Sequence, residues 1–126
     1  MRELEAIRRR IGRCATGSAV ATGAGLLPAR YVFHTVGPVY RDGRQGEPGY
    51  LASCYRTCLA MAEELKLATI SFPAISTGVY GYPFEEAAAI ALREVKAYLT
   101  RPEGSVREAI FVLWGRPAFD AYAAIL

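Results

Sequence analysis

The sequence predicts a single α/β domain over residues 1–126, and three observations support that class. Its 126 residues are 52% hydrophobic and 21% charged, a balance typical of one soluble globular domain with one core. Helical patterns alternate with short apolar strands through the second half, which favours a largely parallel sheet covered on both faces. The same composition excludes collagen-like, disulfide-scaffold and disordered chains.

The first half of the chain predicts a helix, two strands and a loop. Residues 2–11 carry apolar side chains at helical spacing and are followed by a glycine that can end a helix. Residues 18–25 are small, as in an edge strand, whereas residues 30–36 are rich in β-branched and aromatic residues and predict a mostly buried strand. Glycines and prolines among charges predict a surface loop at residues 41–49.

The second half predicts helices joined by short strands. The segment 50–67 has one broad apolar face over about five turns. Glu85 and Glu86 open the next helical segment, where the helix dipole favours acidic side chains. The predicted elements are, in order, a helix at 50–67, a strand at 68–75, a helix at 84–99, a strand at 109–114 and a helix at 117–126.

The net charge of +3 lies within the first thirteen residues, where five arginines oppose two glutamates. We interpret this run as a solvated helix face; contact with a polyanion is the alternative, and binding of nucleic acid is not expected. No apolar stretch reaches the roughly 20 residues that span a bilayer, and no apolar run follows the basic N-terminus. These features predict a cytoplasmic protein with no membrane partner.

Cysteines and the single histidine offer little chemistry. Cys14, Cys54 and Cys58 are an odd set, and with one histidine in the chain a structural zinc site would need carboxylate ligands. We predict reduced, structural cysteines, no metal and no cofactor. His34 lies in the middle of a predicted strand, where a hydrogen-bonded core histidine is favoured over a catalytic base.

The loop at residues 76–83 is the predicted ligand site, because ligands of open α/β sheets bind where strands lead into helices. Gly78 and Gly81 allow a tight turn that presents consecutive N–H groups to a phosphate or diphosphate. No lysine follows them as in a Walker loop, so binding fits better than phosphoryl transfer. Tyr80 and Tyr82 flank the predicted pocket, and one could lie against a sugar. The alternative is an ordinary glycine-bearing turn with core tyrosines.

Three segments resemble successive blocks of a known family. They are RCATGSAVATGAGLLP at residues 13–28, ARYVFHTVGP at 29–38 and SFPAISTGVYGYP at 71–83. They are similar to the macro domain, in its MacroD-type group of ADP-ribose-binding proteins and O-acetyl-ADP-ribose deacetylases. The resemblance runs in the same order from about residue 2 to residue 126, and the third block is highly specific.

The resemblance implies a three-layer α/β/α fold with a mixed sheet that binds ADP-ribose or a related nucleotide diphosphate, free or on an ADP-ribosylated substrate. It places the aromatic at the Tyr80 position near the distal ribose. Trp114 would lie near the adenine, with a core tryptophan as the alternative. The ligand-binding residues implied are Ser76, Thr77, Gly78, Val79, Tyr80, Gly81 and Trp114.

In the family, an asparagine-bearing strand and a glycine-rich loop with an aspartate precede the helix that starts here at Met1. This sequence has no counterpart for them, so we expect an N-terminally truncated macro-like domain without catalytic residues. The absent strand would leave neighbouring sheet edges exposed and prone to self-association. If the catalytic segment is supplied, the alternative function is O-acetyl-ADP-ribose deacetylase or mono-ADP-ribosyl hydrolase.

Overall fold

The computed structural model describes residues 15–26 and 29–125, and the helix predicted at 2–11 and Cys14 lie outside them. The remaining predicted elements are present, several with shifted ends. The strands and helices are β1 (Ala19–Gly23), β2 (Tyr31–Thr35), α1 (Glu47–Glu64), β3 (Thr69–Phe72), α2 (Phe84–Leu99), β4 (Glu108–Phe111) and α3 (Arg116–Ala123).

The described strands form two pairs of opposite sense. β1 and β2 are antiparallel, with Ala19 opposite Thr35. β3 and β4 are parallel, with Phe72 opposite Phe111, and α2 lies between them in the chain. A parallel pair needs such a crossover, whereas an antiparallel pair needs only a turn. The pairing is therefore mixed, and the expectation of a largely parallel sheet is too simple for the described strands.

The three helices pack in sequence order, α1 against α2 and α2 against α3. Their common core contains a chain of aromatic rings from both strands and helices. Tyr55 of α1 lies 5.0 Å from Phe72 of β3, and Phe111 of β4 lies 5.2 Å from Tyr122 of α3, measured between ring centroids. These tilted contacts, worth about 1 kcal/mol each beyond burial, fix the helical layer against the β3–β4 pair.

The first long helix begins earlier than predicted. α1 starts at Glu47, so the loop predicted at 41–49 is wrong in its last three residues. The proline that suggested a loop is instead at the start of the helix, where its fixed φ is suitable and its missing N–H costs nothing. Gly46, the residue before the helix, has a φ of 82°, a left-handed conformation that glycine adopts without strain.

A cleft of about 1310 Å³ lies between β2 and β3, which belong to separate strand pairs in the described part of the chain. Cys58 lines its wall, and Ser76 and Tyr80 line it beside the loop that follows β3. Cys54 and Cys58 are buried free thiols. Burial, followed by the nearby Cys54, raises the pKa of Cys58 to about 12, so both its position and its protonation are those of a core residue.

Candidate functional site

The segment between β3 and α2 is a compact loop closed by its own backbone. Tyr82 donates its N–H to the carbonyl oxygen of Ser76 at 2.9 Å, and Gly81 donates to Gly78 at 3.0 Å. Gly81 has a φ of 73°, as the tight turn requires. The loop is thus a preformed feature of the fold, at the carboxyl end of β3, where only Phe72 is fully buried.

The middle of this loop presents three consecutive N–H groups. Those of Gly78, Val79 and Tyr80 have no hydrogen-bond partner within residues 15–26 and 29–125. The side chain of Val79 is fully exposed, and Gly78 has open space where a Cβ would stand. Adjacent amides without partners can bind an anion without any charged side chain.

Ser76 begins the loop in an unusual conformation. Its φ is 67°, in the left-handed region that non-glycine residues seldom occupy. Its Oγ is buried and has no hydrogen-bond partner among the described residues. Gly37, just after β2, packs against it so closely that a Cβ there would overlap the Ser76 Oγ and lie 2.8 Å from Cγ2 of Ile75. Such strained residues concentrate at functional sites.

The two tyrosines of the loop occupy different environments. Tyr80 is 43% exposed and lies at the cleft, whereas Tyr82 is 2% exposed. The ring of Tyr82 packs on that of Tyr40, with centroids 4.8 Å apart. Burial, and after it the negative charge of Glu86, raises the pKa of Tyr82 to about 12. Only Tyr80 is available to lie against a ligand, and Tyr82 is a core residue.

Trp114 lies beyond the end of β4 and is 96% exposed, so the alternative of a core tryptophan is wrong. The strand pairing continues past Phe111, because Val112 donates its N–H to Phe72 at 2.8 Å. Since β3 and β4 are parallel neighbours, Trp114 and the loop that begins at Ser76 follow strands that end at the same edge of the sheet.

Sequence reasoning missed Glu47, the buried acidic residue at the start of α1. Its carboxylate accepts N–H groups from the loop before it, among them those of Arg41, Gly43 and Gln45. Burial raises its pKa, but these backbone donors outweigh burial and hold the pKa at about 2. A glutamate directly after a glycine-rich turn and before a proline was the signal available in the sequence.

Other polar candidates have structural roles. The Nε2 of His34 lies 3.0 Å from Thr22 Oγ1 on the neighbouring strand, so the predicted hydrogen bond is present. The prediction of a core position is wrong, because His34 is half-buried and lines the cleft. Glu85 and Glu86 are exposed in the first turn of α2, as predicted. Within the described ranges, no cluster of three histidine, cysteine or acidic residues is arranged to hold a metal. None of the described helices is long and apolar enough to cross a membrane.

A family model described as Macro domain matches residues 1–91. A macro domain-containing protein of Caldanaerobacter subterraneus is 49% identical over 96% of this chain and 68% of its own length. One from Methanosarcina mazei is 50% identical over 79% of this chain and 52% of its own length. The O-acetyl-ADP-ribose deacetylase of Salmonella newport is 47% identical over 95% and 66%. The chain thus spans between half and about two thirds of these curated relatives.

Solved structures agree with these sequence matches. The macrodomain of Oceanobacillus iheyensis with ADP has a TM-score of 0.88 and is 36% identical over 98% of this chain and 67% of that one. A variant of the same macrodomain with ADPR gives a TM-score of 0.87 over 98% and 69%. The Trypanosoma brucei macrodomain in complex with ADP is 39% identical over 88% and 46%, with a TM-score of 0.79.

Proposed function

Because this chain belongs to the macro domain family and has its α/β/α fold with a mixed sheet, we propose that it binds ADP-ribose or a related nucleotide diphosphate. The proposed site is the loop after β3 together with the tryptophan after β4. Its residues are Ser76, Thr77, Gly78, Val79, Tyr80, Gly81 and Trp114.

The observation that carries this proposal is the row of N–H groups at Gly78, Val79 and Tyr80, which find no partner among the residues that the structure describes. A diphosphate offers several oxygens at a spacing that neighbouring amides can reach together. Residues 76–82 contain no acidic side chain to repel it and no lysine or arginine to bind it. Recognition would therefore depend on backbone geometry, which the closed loop and the close packing of Gly37 maintain.

Two exposed aromatics suit the rest of the ligand. Tyr80 adjoins the cleft, where its ring would cover the distal ribose, and Trp114, 96% exposed, would lie against the adenine. Exposed aromatic residues beside an anion site favour a ligand that has both a charged and a ring-bearing part. Relatives of this chain were solved with ADP or ADPR, and this agrees with such a ligand.

Calorimetric titration of this chain with ADP-ribose tests the proposal. We expect a Kd of roughly micromolar order, about 8 kcal/mol of binding free energy. Gly78→Glu should abolish the heat, because a Cβ at this position meets nothing in the fold while the new carboxylate enters the amide row. Gly23→Glu is the matched control. It makes the same charge change at the far end of β1, where a Cβ also meets nothing.

Absence of heat from the unmodified chain at millimolar ADP-ribose would contradict the proposal. Unchanged affinity in Gly78→Glu would instead mean that another loop binds the diphosphate. AMP as a second ligand separates the contributions, since it carries the adenine and a single phosphate. We expect AMP to bind much more weakly than ADP-ribose.

Deacetylation of O-acetyl-ADP-ribose, or removal of ADP-ribose from proteins, is the second proposed function. The observation that favours it is the name of the Salmonella relatives, O-acetyl-ADP-ribose deacetylase, at 46–47% identity. Tyrosines are the only titratable residues at positions 76–82, so the chemistry would have to come from residues elsewhere. Acetate release from O-acetyl-ADP-ribose distinguishes an enzyme from a binding module.

Two further features of the protein are proposed with it. We assign it to the cytoplasm, and the free thiols of Cys54 and Cys58 are typical of a reducing compartment.

The described edges of β2 and β3 that face the cleft have no strand partner among the described residues. Unpaired edges of this kind are where a second copy can add a strand, and we propose self-association there.

A further inference from the structure

We infer that Glu47 is a positioning residue for the ligand loop: through Tyr40 it holds the backbone of residues 76–82 in the conformation that presents its amides. This inference rests on the proposed function of that loop in binding a diphosphate. It assigns to a residue outside the loop, on another element, part of the geometry on which binding depends.

Glu47 organises the turn before α1 through its carboxylate. Its Oε2 accepts the N–H groups of Arg41 at 3.0 Å, Asp42 at 3.2 Å and Gly43 at 3.0 Å. Its Oε1 accepts that of Gln45 at 2.6 Å. We call residues 41–47 the Glu47 cradle. The side chain of Glu47 is fully enclosed, with 2% of the residue exposed, so water does not compete for these bonds.

Tyr40 links the cradle to the ligand loop. Tyr40 immediately precedes the cradle, and its N–H donates to the carbonyl oxygen of Tyr80 at 2.9 Å. Its ring packs on Tyr82 at 4.8 Å. Its hydroxyl lies near the cradle as well, since a Cβ at Gly43 would be 3.2 Å from it. One residue thus joins the cradle to the loop on both sides of Gly81.

Hydrogen bonds also fix the direction of the peptide groups in the ligand loop. The Tyr80 carbonyl is turned toward Tyr40, and the Ser76 carbonyl is used by Tyr82. Two acceptors that would repel an anion are therefore occupied within the fold, whereas the N–H groups of residues 78–80 have no hydrogen-bond partner in the described part of the chain. If Tyr40 moves, the Tyr80 carbonyl loses its donor and the peptide can rotate, which lowers the affinity of the loop for a phosphate.

Neutral replacement of Glu47 should break this arrangement. Both carboxylate oxygens accept hydrogen bonds from the backbone, one from three N–H groups and the other from one. In Glu47→Gln one of those oxygens becomes an NH₂ group, which must face N–H donors whichever way the amide turns. The substitution keeps the shape of the side chain and removes the acceptor that closes the cradle.

Two measurements on the full chain test the inference, with Glu63→Gln as the control. Glu63 is a carboxylate of the same helix that accepts the Tyr98 hydroxyl, at the opposite end of α1 from the cradle. We expect Glu47→Gln to bind ADP-ribose about tenfold more weakly and Glu63→Gln to bind as the unmodified chain does. Without ligand, exchange of the hydrogen-bonded amides of Gly81 and Tyr82 should become faster in Glu47→Gln alone.

The inference is overturned if Glu47→Gln leaves both the exchange of the Gly81 and Tyr82 amides and the affinity unchanged, or if Glu63→Gln has equal effects. If the unmodified chain binds no ADP-ribose, the proposed function fails, and the exchange measurement alone decides on Glu47. Should Glu47→Gln not fold, Tyr40→Ala is the second variant. It keeps the cradle and removes the ring contact with Tyr82, and unchanged exchange in the loop would then overturn the inference.

Discussion

A single residue, Tyr80, provides the sharpest test of how the loop meets a sugar. Its ring is 43% exposed and contributes little to the core, so Tyr80→Ala should leave thermal stability nearly unchanged. Loss of an aromatic contact with the ribose should weaken ADP-ribose binding by about 1 kcal/mol or more. Calorimetry measures this, with Tyr80→Phe as the variant that retains the ring. Equal affinity for all three proteins would place the sugar elsewhere.

The exposure of individual aromatic residues could not be predicted from the local sequence. Tyr80 and Tyr82 are two positions apart in a loop of small residues, and nothing local distinguishes them. The difference comes from Tyr40, whose ring covers one and not the other. The same holds for Trp114. An aromatic residue at the end of a strand fits a core position as well as a surface position, and the 96% exposure of Trp114 depends on the surrounding fold. Contacts between distant segments decide such cases, and a local pattern does not contain them.

At the scale of elements, the approach of β2 to the ligand loop depends on Gly37. Gly37→Ala should destabilise the protein by about 1–3 kcal/mol, because the added Cβ overlaps Ser76 and Ile75 and forces them to shift. The ligand loop begins at Ser76, so ADP-ribose affinity should fall as well. Urea unfolding followed by circular dichroism measures the first effect, and calorimetry the second.

Gly49→Ala is the matched control for that substitution. Gly49 lies in α1, and a Cβ there meets nothing within 4 Å. The change should therefore stabilise the helix by up to about 1 kcal/mol and leave binding unchanged. A Gly37→Ala variant as stable as Gly49→Ala would refute the close approach of β2 to the loop.

Elements were predictable where the pattern was long and locally consistent. α2 has the predicted bounds because its acidic first turn and apolar face agree. α1 was predicted three residues too late, because its start depends on Glu47 binding the turn behind it. β3 and β4 were both predicted to extend three residues too far, since these strands end at Phe72 and Phe111 and only the N–H of Val112 continues the pairing.

For the molecule as a whole, the three sequence blocks identified the family that the comparisons show. Local patterns alone predicted the α/β class but an overly parallel sheet. The reason is that antiparallel and parallel strands of buried sheets have similar apolar composition, and the sense of pairing follows from the connections. The helix predicted at residues 2–11 stays a prediction, as do the site residues, which the loop geometry supports.

The stability of the whole domain should be highest between about pH 5 and pH 9. Glu47 has a pKa of about 2 in the fold and 4.5 as its ordinary value, so the fold favours the ionised carboxylate. The stabilisation of the fold by the ionised Glu47 carboxylate is complete above about pH 4.5 and is lost as the pH falls toward 2. Burial raises the pKa of Cys58 and of Tyr82 to about 12, from 9 and 10. The stabilisation that the protonated Cys58 and Tyr82 provide is complete below pH 9 and pH 10, respectively, and is lost as the pH rises toward 12.

Thermal unfolding of the unmodified chain and of Glu47→Gln across pH 2 to 7 isolates the acidic side of this profile. The variant has no carboxylate at position 47 to protonate, so its Tm should decline less steeply below pH 5. The Tm difference between the two proteins should therefore be largest near neutral pH and shrink as Glu47 gains its proton in the unmodified chain. A difference that is constant over the whole range would show that the Glu47 cradle does not depend on the negative charge of its carboxylate, contrary to its backbone donors and its pKa of about 2.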